Sequence, residues 1–306
     1  MSAPPLPERA AGRPPDPTGR PPDAPTHTHD LELREVSQAL AARRLTALDG
    51  TFIGLLALTI VLDVICAVFA LGWSTAAATD AICALYVLGM ALARPAWRPL
   101  LARLFALGLA AGVLELFTDF AGERVAHSLT YPAGEPLLWG SPYYMPLSWA
   151  IVLTQLGYLA WRLRSLAPRE QGLADESAPD APLAGGPADE SAPKGVPPQS
   201  PPARAGVRGV PLWLAIIITG LAGAALVPFY EEMAWYARWW HYSPVELMVG
   251  HTPVYVLVFE GLVAALLPLL VGGLMARPLR YAVALGLLEG IWMPVAALAA
   301  WLVVGR

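Results

Sequence analysis

Long apolar runs separated by short polar stretches are the feature that most constrains how this chain folds. A helix needs about 20 mostly apolar residues to cross the roughly 30 Å hydrocarbon layer of a bilayer. The stretches that meet this requirement lie at approximately 51–73, 76–93, 100–119, 142–163, 209–230, 252–275 and 279–304. We therefore predict an all-α fold, a polytopic membrane helical bundle of about seven transmembrane helices.

The composition supports this class of protein. Of the 306 residues, 56% are hydrophobic and 14% are charged, and the mean hydropathy is +0.50. Charged residues approach a quarter of an ordinary soluble domain, so this chain is much more apolar. Its net charge of -4 and its dispersed basic residues exclude an electrostatic surface for nucleic acid.

Four segments follow from the distribution of the apolar runs. Residues 1–48 form a proline-rich tail, predicted to be disordered, that ends in an amphipathic lead-in helix from residue 31. Residues 49–164 carry membrane helices one to four. Residues 165–208 are a polar, proline-rich linker, also predicted to be disordered. Residues 209–306 carry helices five to seven.

The positions of arginine predict the orientation in the cell membrane, because cytoplasmic loops are enriched in lysine and arginine. Arginines precede helix one, join helices two and three, border the linker, and join helices six and seven. All of these lie on one side if the N-terminus and the linker are cytoplasmic. The C-terminus is then predicted to lie outside.

Two loops on the predicted outer face, at about 120–141 and 231–251, resemble each other. In each, an acid ends a helix, a proline follows thirteen residues later, and a hydroxyl residue with a proline opens the next helix. This spacing predicts a parallel internal repeat that relates helices three and four to helices five and six. The matched residues are Asp119 and Glu231, Pro132 and Pro244, Ser141-Pro142 and Thr252-Pro253, and Tyr144 and Tyr255.

Carboxylates at membrane depth are the strongest functional signal in the sequence. An ionisable group near the bilayer centre costs about 2.5 to 3.5 kcal/mol on insertion scales, so these acids should face the interior of the bundle. Asp63 and Asp80 also lie in apolar runs but do not belong to the repeated pattern. The predicted catalytic residues are Glu115, Asp119, Glu231, Glu232, Glu260 and Glu289.

These acids also have structural explanations. Those at helix ends stop a helix in headgroup water, and Glu260 or Glu289 can hydrogen-bond between helices as a protonated side chain. The aromatic residues around position 235 equally suit an interfacial belt. In the functional interpretation, aromatic rings line a cavity and stabilise a cation. The residues predicted to bind substrate are Trp139, Tyr144, Trp149, Trp235, Trp240 and Tyr255.

Acids and aromatic rings in an apolar pocket indicate carbocation chemistry on an isoprenoid lipid. The segments "YPAGEPLLWGSPYYMPLSW" and "WWHYSPVELMVGHTPVYVLVFE" resemble integral-membrane carotenoid hydratases and membrane lycopene cyclases. The acidic pair resembles that of membrane-bound meroterpenoid cyclases. This resemblance implies a cyclase or hydratase, and it transfers no catalytic residue. The sequence predicts neither a cofactor nor a metal site, because its histidines are not clustered.

Two other functions remain open at this point. A proton-coupled transporter or lipid-binding membrane protein also uses buried acids and internal repeats. A CAAX-type intramembrane protease uses paired glutamates followed by an arginine. Here Arg238 follows Glu232 by six residues rather than four, which departs from that signature.

Overall fold

The computed structural model describes residues 46–165, 210–243 and 245–305. The predicted tail, most of the predicted lead-in helix, nearly all of the predicted linker, and Pro244 lie outside the described residues. The described residues form a helical bundle with three small two-stranded sheets. The helices are α1 (Ala47–Phe69), α2 (Ser74–Ala93), α3 (Arg98–Phe120), α4 (Met145–Ser165), α5 (Leu212–Ala237), α6 (Val254–Leu270) and α7 (Leu279–Val304).

Each predicted apolar run corresponds to one of these helices. Five of the described helices are long and apolar enough to cross a membrane, as expected of a membrane protein: α1, α2, α3 with its continuation to Val125, α5 and α7. Helix α6 is apolar but has only 17 residues. Helix α4 has 21 residues and ends with two arginines in its last turn.

Local signals explain where α1 begins and ends. The Thr46 side chain accepts a hydrogen bond from the backbone of Asp49, and the Asp49 side chain accepts one from the backbone of Thr46, which forms a capping box. The helix ends at Phe69, and the cap residue Ala70 that follows it has a left-handed φ of 49°. The following Leu71 N–H donates to the Cys66 carbonyl, and this bond closes the last turn.

The helix boundaries near the predicted site differ from the sequence prediction. Helix α5 continues to Ala237, so Glu231 and Glu232 lie within the helix rather than at its end. Helix α3 likewise continues past Asp119 into a π-helical turn, Ala121–Val125. Aromatic and small residues after each acid allow the helix to go on, whereas the prediction treated each charge as a stop.

Short strands occupy the segments between these helices. They are β1 (Leu129–Thr130), β2 (Leu137–Leu138), β3 (Ser141–Pro142), β4 (His241–Tyr242), β5 (Met248–Val249) and β6 (Thr252–Pro253). Strand β2 pairs with β3 and β5 with β6 in two hairpins, while β1 pairs antiparallel with β4. The hydroxyl-proline pairs form the second strand of each hairpin and lie immediately before the helices that they were predicted to open: Pro253 is the N-cap of α6, and α4 begins three residues after Pro142.

Small residues allow the helices to approach closely. A Cβ atom at Gly112 of α3 would lie 2.7 Å from the Pro146 carbonyl oxygen of α4. A Cβ at Gly223 of α5 would lie 2.5 Å from the Ala264 Cβ of α6. Gly286 and Gly290 bring α7 equally close to α3. Such contacts replace the hydrophobic effect as the source of helix association inside a bilayer.

Candidate functional site

A cavity of about 530 Å³ lies inside the bundle, on the side that carries the strands. All seven described helices contribute to its lining. Most of the lining is apolar or aromatic, and among the described residues no lysine or arginine lines it. The carboxyl side chains that line it are Asp63, Asp80, Glu115, Asp119, Glu231 and Glu260.

Asp119 is the most completely bonded of these acids. The Tyr131 hydroxyl donates to its Oδ2 atom at 2.5 Å, and the Ser141 hydroxyl donates to the same oxygen at 2.6 Å. Both donors come from the segment that follows α3, and all three residues are buried. Glu115 lies one turn earlier on α3, close enough to Asp119 for a side-chain hydrogen bond. The Glu115 Oε2 atom has no hydrogen-bond partner among the described residues.

Glu231 of α5 is bonded in a similar way. The Trp240 indole N–H donates to its Oε2 atom at 2.6 Å, and the Tyr242 hydroxyl donates to its Oε1 atom at 3.2 Å. Both donors again come from the segment that follows the helix. Leu129 of β1 pairs with Tyr242 of β4, so the segments that support Asp119 and Glu231 are joined to each other.

The two supporting tyrosines are neutral hydrogen-bond donors. Burial, followed by the neighbouring Asp119 carboxylate, raises the pKa of Tyr131 well above its usual range. Burial and the Glu231 carboxylate raise the pKa of Tyr242 in the same way. Each hydroxyl therefore keeps its proton and stabilises the charge of the carboxylate that it contacts.

A second acidic pair lies in the same cavity. Asp63 of α1 is 4% exposed, and Asp80 of α2 is close enough to interact with it electrostatically. The Ser148 hydroxyl of α4 donates to Asp80 Oδ2. No hydrogen bond reaches Asp63 from the part of the chain that the structure describes.

Aromatic residues complete the cavity wall. Of the predicted substrate-binding residues, Trp149, Trp240 and Tyr255 line the cavity. Trp149 also packs edge-on against Phe259, with ring centroids 6.2 Å apart. Further rings in the lining, not predicted as substrate-binding residues, are Tyr131, Tyr230, Trp239, Tyr242, Phe259 and Trp301.

Four of the six predicted catalytic acids line the cavity, and Glu232 and Glu289 do not. Glu232 bonds outward to His251, whose Nδ1 atom lies 2.8 Å from Glu232 Oε2. Trp235 stacks on that His251 ring at 3.7 Å and is itself 40% exposed. Glu289 is fully buried on α7, and neither of its carboxyl oxygens has a hydrogen-bond partner in the described ranges.

Three predicted substrate-binding aromatics, Trp139, Tyr144 and Trp235, lie outside the cavity lining. Trp139 is 57% exposed at the turn between β2 and β3, where it stacks on Phe117 with ring centroids 5.4 Å apart. Tyr144 is buried and donates its hydroxyl to Glu135 at 2.7 Å. Trp139 and Tyr144 both come from the proline-containing segment between α3 and α4, and neither of their side chains lines the cavity.

The sequence prediction missed several polar residues of this site. Asp63 and Asp80 were set aside because they lack the repeat spacing, although buried acids in apolar helices are a signal in their own right. Tyr131 and Ser141 are far from Asp119 in sequence, and no local pattern links them. Within the described residues, no group of three histidine, cysteine or acidic side chains is arranged to hold a metal ion.

The family described as "Domain of unknown function (DUF6989)" matches residues 116–173 and 204–304. This match includes Asp119, Glu231, Glu260 and their supporting segments, and it begins just after Glu115. No curated protein and no solved structure matches the chain.

Proposed function

The chain belongs to the DUF6989 family, and we propose that it is an integral membrane enzyme that converts an isoprenoid lipid by acid-initiated carbocation chemistry. The product is either a cyclised isomer or a hydrated derivative. The observation that carries this proposal is the Glu115 and Asp119 pair, which faces a cavity whose lining, in the described residues, includes no lysine or arginine.

Two carboxyl groups in hydrogen-bond contact share a proton, because two carboxylates at that distance repel each other. Two hydroxyl donors already support Asp119, so Asp119 is the better site for the negative charge. Glu115 is then the group that carries the proton. A carboxylic acid held in an apolar cavity is the reagent that protonation of an alkene requires.

The proposed reaction begins when this proton adds to one carbon of a substrate C=C bond, leaving a carbocation on the other carbon. In a cyclisation, the π electrons of a second C=C bond attack the cation and form the ring bond. A neighbouring C–H then loses its proton to a carboxylate, and a new C=C bond forms. In a hydration, water adds to the cation and loses a proton instead. In both cases the released proton goes to a second carboxylate, and its return to the acid through water or the other cavity carboxyl groups completes the turnover.

Other groups that line the same cavity suit the cationic stage. Glu231 and Glu260 supply negative charge, and Trp149, Trp240 and Phe259 present aromatic rings, which attract cations. Glu231 is held by two donors, so it serves as the acceptor of the released proton. No cationic side chain lines this part of the cavity within the described residues, so none competes for these groups.

An apolar substrate fits the surroundings of the cavity. The lining includes Val125, which is 72% exposed, and Leu298 of α7, which is 59% exposed. The cavity therefore reaches the apolar surface of a helix long enough to span a membrane. We infer that the substrate enters from the lipid phase beside α7.

The proposal includes the predicted seven spans, the cytoplasmic N-terminus and the parallel repeat. Support for the repeat comes from the loops: Asp119 and Glu231 each accept a hydrogen bond from a tyrosine of the segment that follows. The turns of both hairpins contain a glycine with positive φ, 87° at Gly140 and 61° at Gly250. Antiparallel pairing of β1 with β4 is what a two-fold axis along the membrane normal would produce.

Expression in a host that makes linear polyprenyl compounds and carotenoids, with mass spectrometry of the lipid extract, tests the proposal. A cyclase gives an isomeric product, and a hydratase adds one water. We expect Glu115→Gln and Asp119→Asn each to lower conversion by about 100-fold or more. Glu289→Gln is the matched control, because it changes a buried acid of a neighbouring helix that does not line the cavity.

Full conversion by both cavity variants would contradict the assignment of the acidic pair. A host extract that does not change with any polyprenyl substrate would favour the second candidate, a proton-coupled transporter or lipid-binding protein. Asp63 and Asp80 favour that alternative. They also line the cavity, and a reaction that transfers one proton does not need so many carboxyl groups. Proton-coupled uptake into proteoliposomes is the measurement that distinguishes it.

A further inference from the structure

Asp63 is the one cavity acid on α1, and it differs from the others in its surroundings. Only 4% of the Asp63 surface is accessible to solvent. It lines the cavity, yet no hydrogen bond reaches it from the described residues. A buried acid without a donor is costly, so its environment is complete only when something in the cavity supplies one.

The neighbouring polar groups are already committed to each other. Thr59 donates to the Leu55 carbonyl at 2.9 Å and accepts from Gln155 Nε2 at 3.0 Å. The Tyr230 hydroxyl donates to Gln155 Oε1 at 3.4 Å. Ser148 donates to Asp80. None of these groups donates a hydrogen bond to Asp63.

We propose that Asp63, with Asp80 beside it, binds the hydrogen-bond-donating head group of an amphiphilic ligand whose apolar body fills the rest of the cavity. The head group is an alcohol or a protonated amine. This inference rests on the proposed function, because the apolar body would lie against the Glu115 and Asp119 pair. It assigns helices α1 and α2, which precede the residues matched by the family, to substrate recognition.

The chemistry of the cavity selects this class of head group. A phosphate or carboxylate head would face carboxyl groups without any lysine or arginine in the lining of the described chain. An ether or ketone head offers only acceptors, so it can bond Asp63 only when Asp63 is protonated, whereas an alcohol or an ammonium can donate to the Asp63 carboxylate. A donor satisfies Asp63 directly, and an ammonium also offsets the negative charge of the pair.

Binding to the purified full-length protein in detergent tests the inference without turnover. The probes are farnesol, farnesylamine and farnesyl methyl ether, which share one apolar chain and differ in the head group. We expect the alcohol or the amine to bind about tenfold more tightly than the ether, as one hydrogen bond to a charged acceptor allows. Quenching of tryptophan fluorescence reports binding, because Trp149 and Trp240 line the cavity.

Two variants distinguish the head groups. If the ligand is an amine, Asp63→Asn should reduce the preference over the ether, because it removes the charge, and Asp63→Leu should abolish it. If it is an alcohol, Asp63→Asn should retain the preference through its amide oxygen, and only Asp63→Leu should abolish it. Glu289→Gln is the control that keeps the preference, since Glu289 does not line the cavity.

Equal binding of all three probes to the unaltered protein would overturn the inference, and so would a preference that survives Asp63→Leu. The same experiments can contradict the proposed function without contradicting the Asp63 subsite, and the reverse. A protein that prefers the donor head groups but converts no polyprenyl compound would support the Asp63 subsite and contradict only the acid-catalysed reaction. A protein that converts such compounds without any head-group preference would contradict only the subsite.

Discussion

Individual carboxyl groups in this protein differ in what satisfies them. Asp119 and Glu231 each receive two side-chain donors from the segments after their helices. Asp63 receives none from the described chain. The bonded acids are suited to hold charge, whereas an acid without donors is suited to meet a ligand. The function of each acid therefore depends on which side chains donate hydrogen bonds to it, as much as on its own position.

The Tyr131 hydroxyl provides a direct test of how Asp119 is supported. Tyr131→Phe keeps the buried ring and removes only the donor at 2.5 Å. We expect conversion to fall by about 100-fold, the lower end of what the loss of one donor to a catalytic charge causes. Mass spectrometry of the product per amount of purified protein measures it. Tyr86→Phe is the control, because the Tyr86 hydroxyl donates to the Thr51 carbonyl away from the cavity. Equal losses in both variants would contradict a specific role for Tyr131.

Glu135, in the segment between β1 and β2, predicts a pH dependence of stability. Burial raises the pKa of its carboxyl from 4.5 to about 7, although the Tyr144 hydroxyl opposes this shift. Between these values the folded state holds a proton that the unfolded state has lost. The stabilisation from this proton is complete below about pH 4.5 and is lost as the pH rises to about 7.

The matched comparison is Glu135→Gln, which cannot titrate. Thermal unfolding of both proteins in detergent across this range should show the unaltered protein losing stability relative to the variant as the pH rises. A stability difference that does not change with pH would contradict the assignment. Subtracting the variant removes the contributions of all other titrating groups, provided that their environments are unchanged.

At the scale of helices, glycines fix how closely neighbours approach and thereby shape the cavity. Gly112 of α3 faces Trp149 of α4, a cavity residue, and a Cβ there would lie 2.8 Å from the Trp149 Cβ. Gly223 and Gly261 bring α5 and α6 together in the same manner. The position of the cavity wall therefore depends on close helix contacts at glycines that do not themselves line the cavity.

A pair of glycine substitutions measures this dependence. Gly112→Ala should destabilise the protein by about 1 to 3 kcal/mol, because the added methyl group has no space against α4. Gly89→Ala on α2 is the control, since a Cβ at that position meets nothing within 4 Å. Thermal unfolding in detergent compares the two. Similar melting temperatures for both variants would show that the helices adjust more easily than the contacts indicate.

At the scale of the whole molecule, the two parts of the chain on either side of residues 166–209 form one bundle. Helix α7 packs closely against α3, and α6 contacts α4. The pairing of β1 with β4 adds a connection at the cavity. The contacts that hold the bundle together therefore lie between the helices themselves.

Interrupting the chain between residues 166 and 209 tests this description. Two co-expressed fragments should associate and co-purify through a tag on one of them, because their buried helix contacts do not depend on the covalent connection. Size-exclusion chromatography in detergent measures the complex. Adding Gly286→Leu to the second fragment should weaken it, since a side chain there meets the Leu107 backbone. Fragments that never co-purify would show that the connection is required for assembly.

The sequence alone determined the helical membrane class and the approximate position of each helix. Those properties depend on runs of consecutive apolar residues, which are local, so the predicted runs and the observed helices agree to within a few residues at most ends. It also identified four of the acids that line the cavity. The larger differences in boundaries are at the end of α5, which continues past Glu231 to Ala237, and at the end of α6, which stops at Leu270 rather than at residue 275.

Only the tertiary structure decided which buried acids face one another. Asp63 lines the cavity whereas Glu289 does not, although both lie within apolar helices. A helix that is apolar on every side carries no pattern to fix its rotation about its own axis. That rotation is set by contacts with neighbouring helices, such as those of Gly286 and Gly290 with α3. The donors to Asp119 depend in the same way on where the chain returns after the helix.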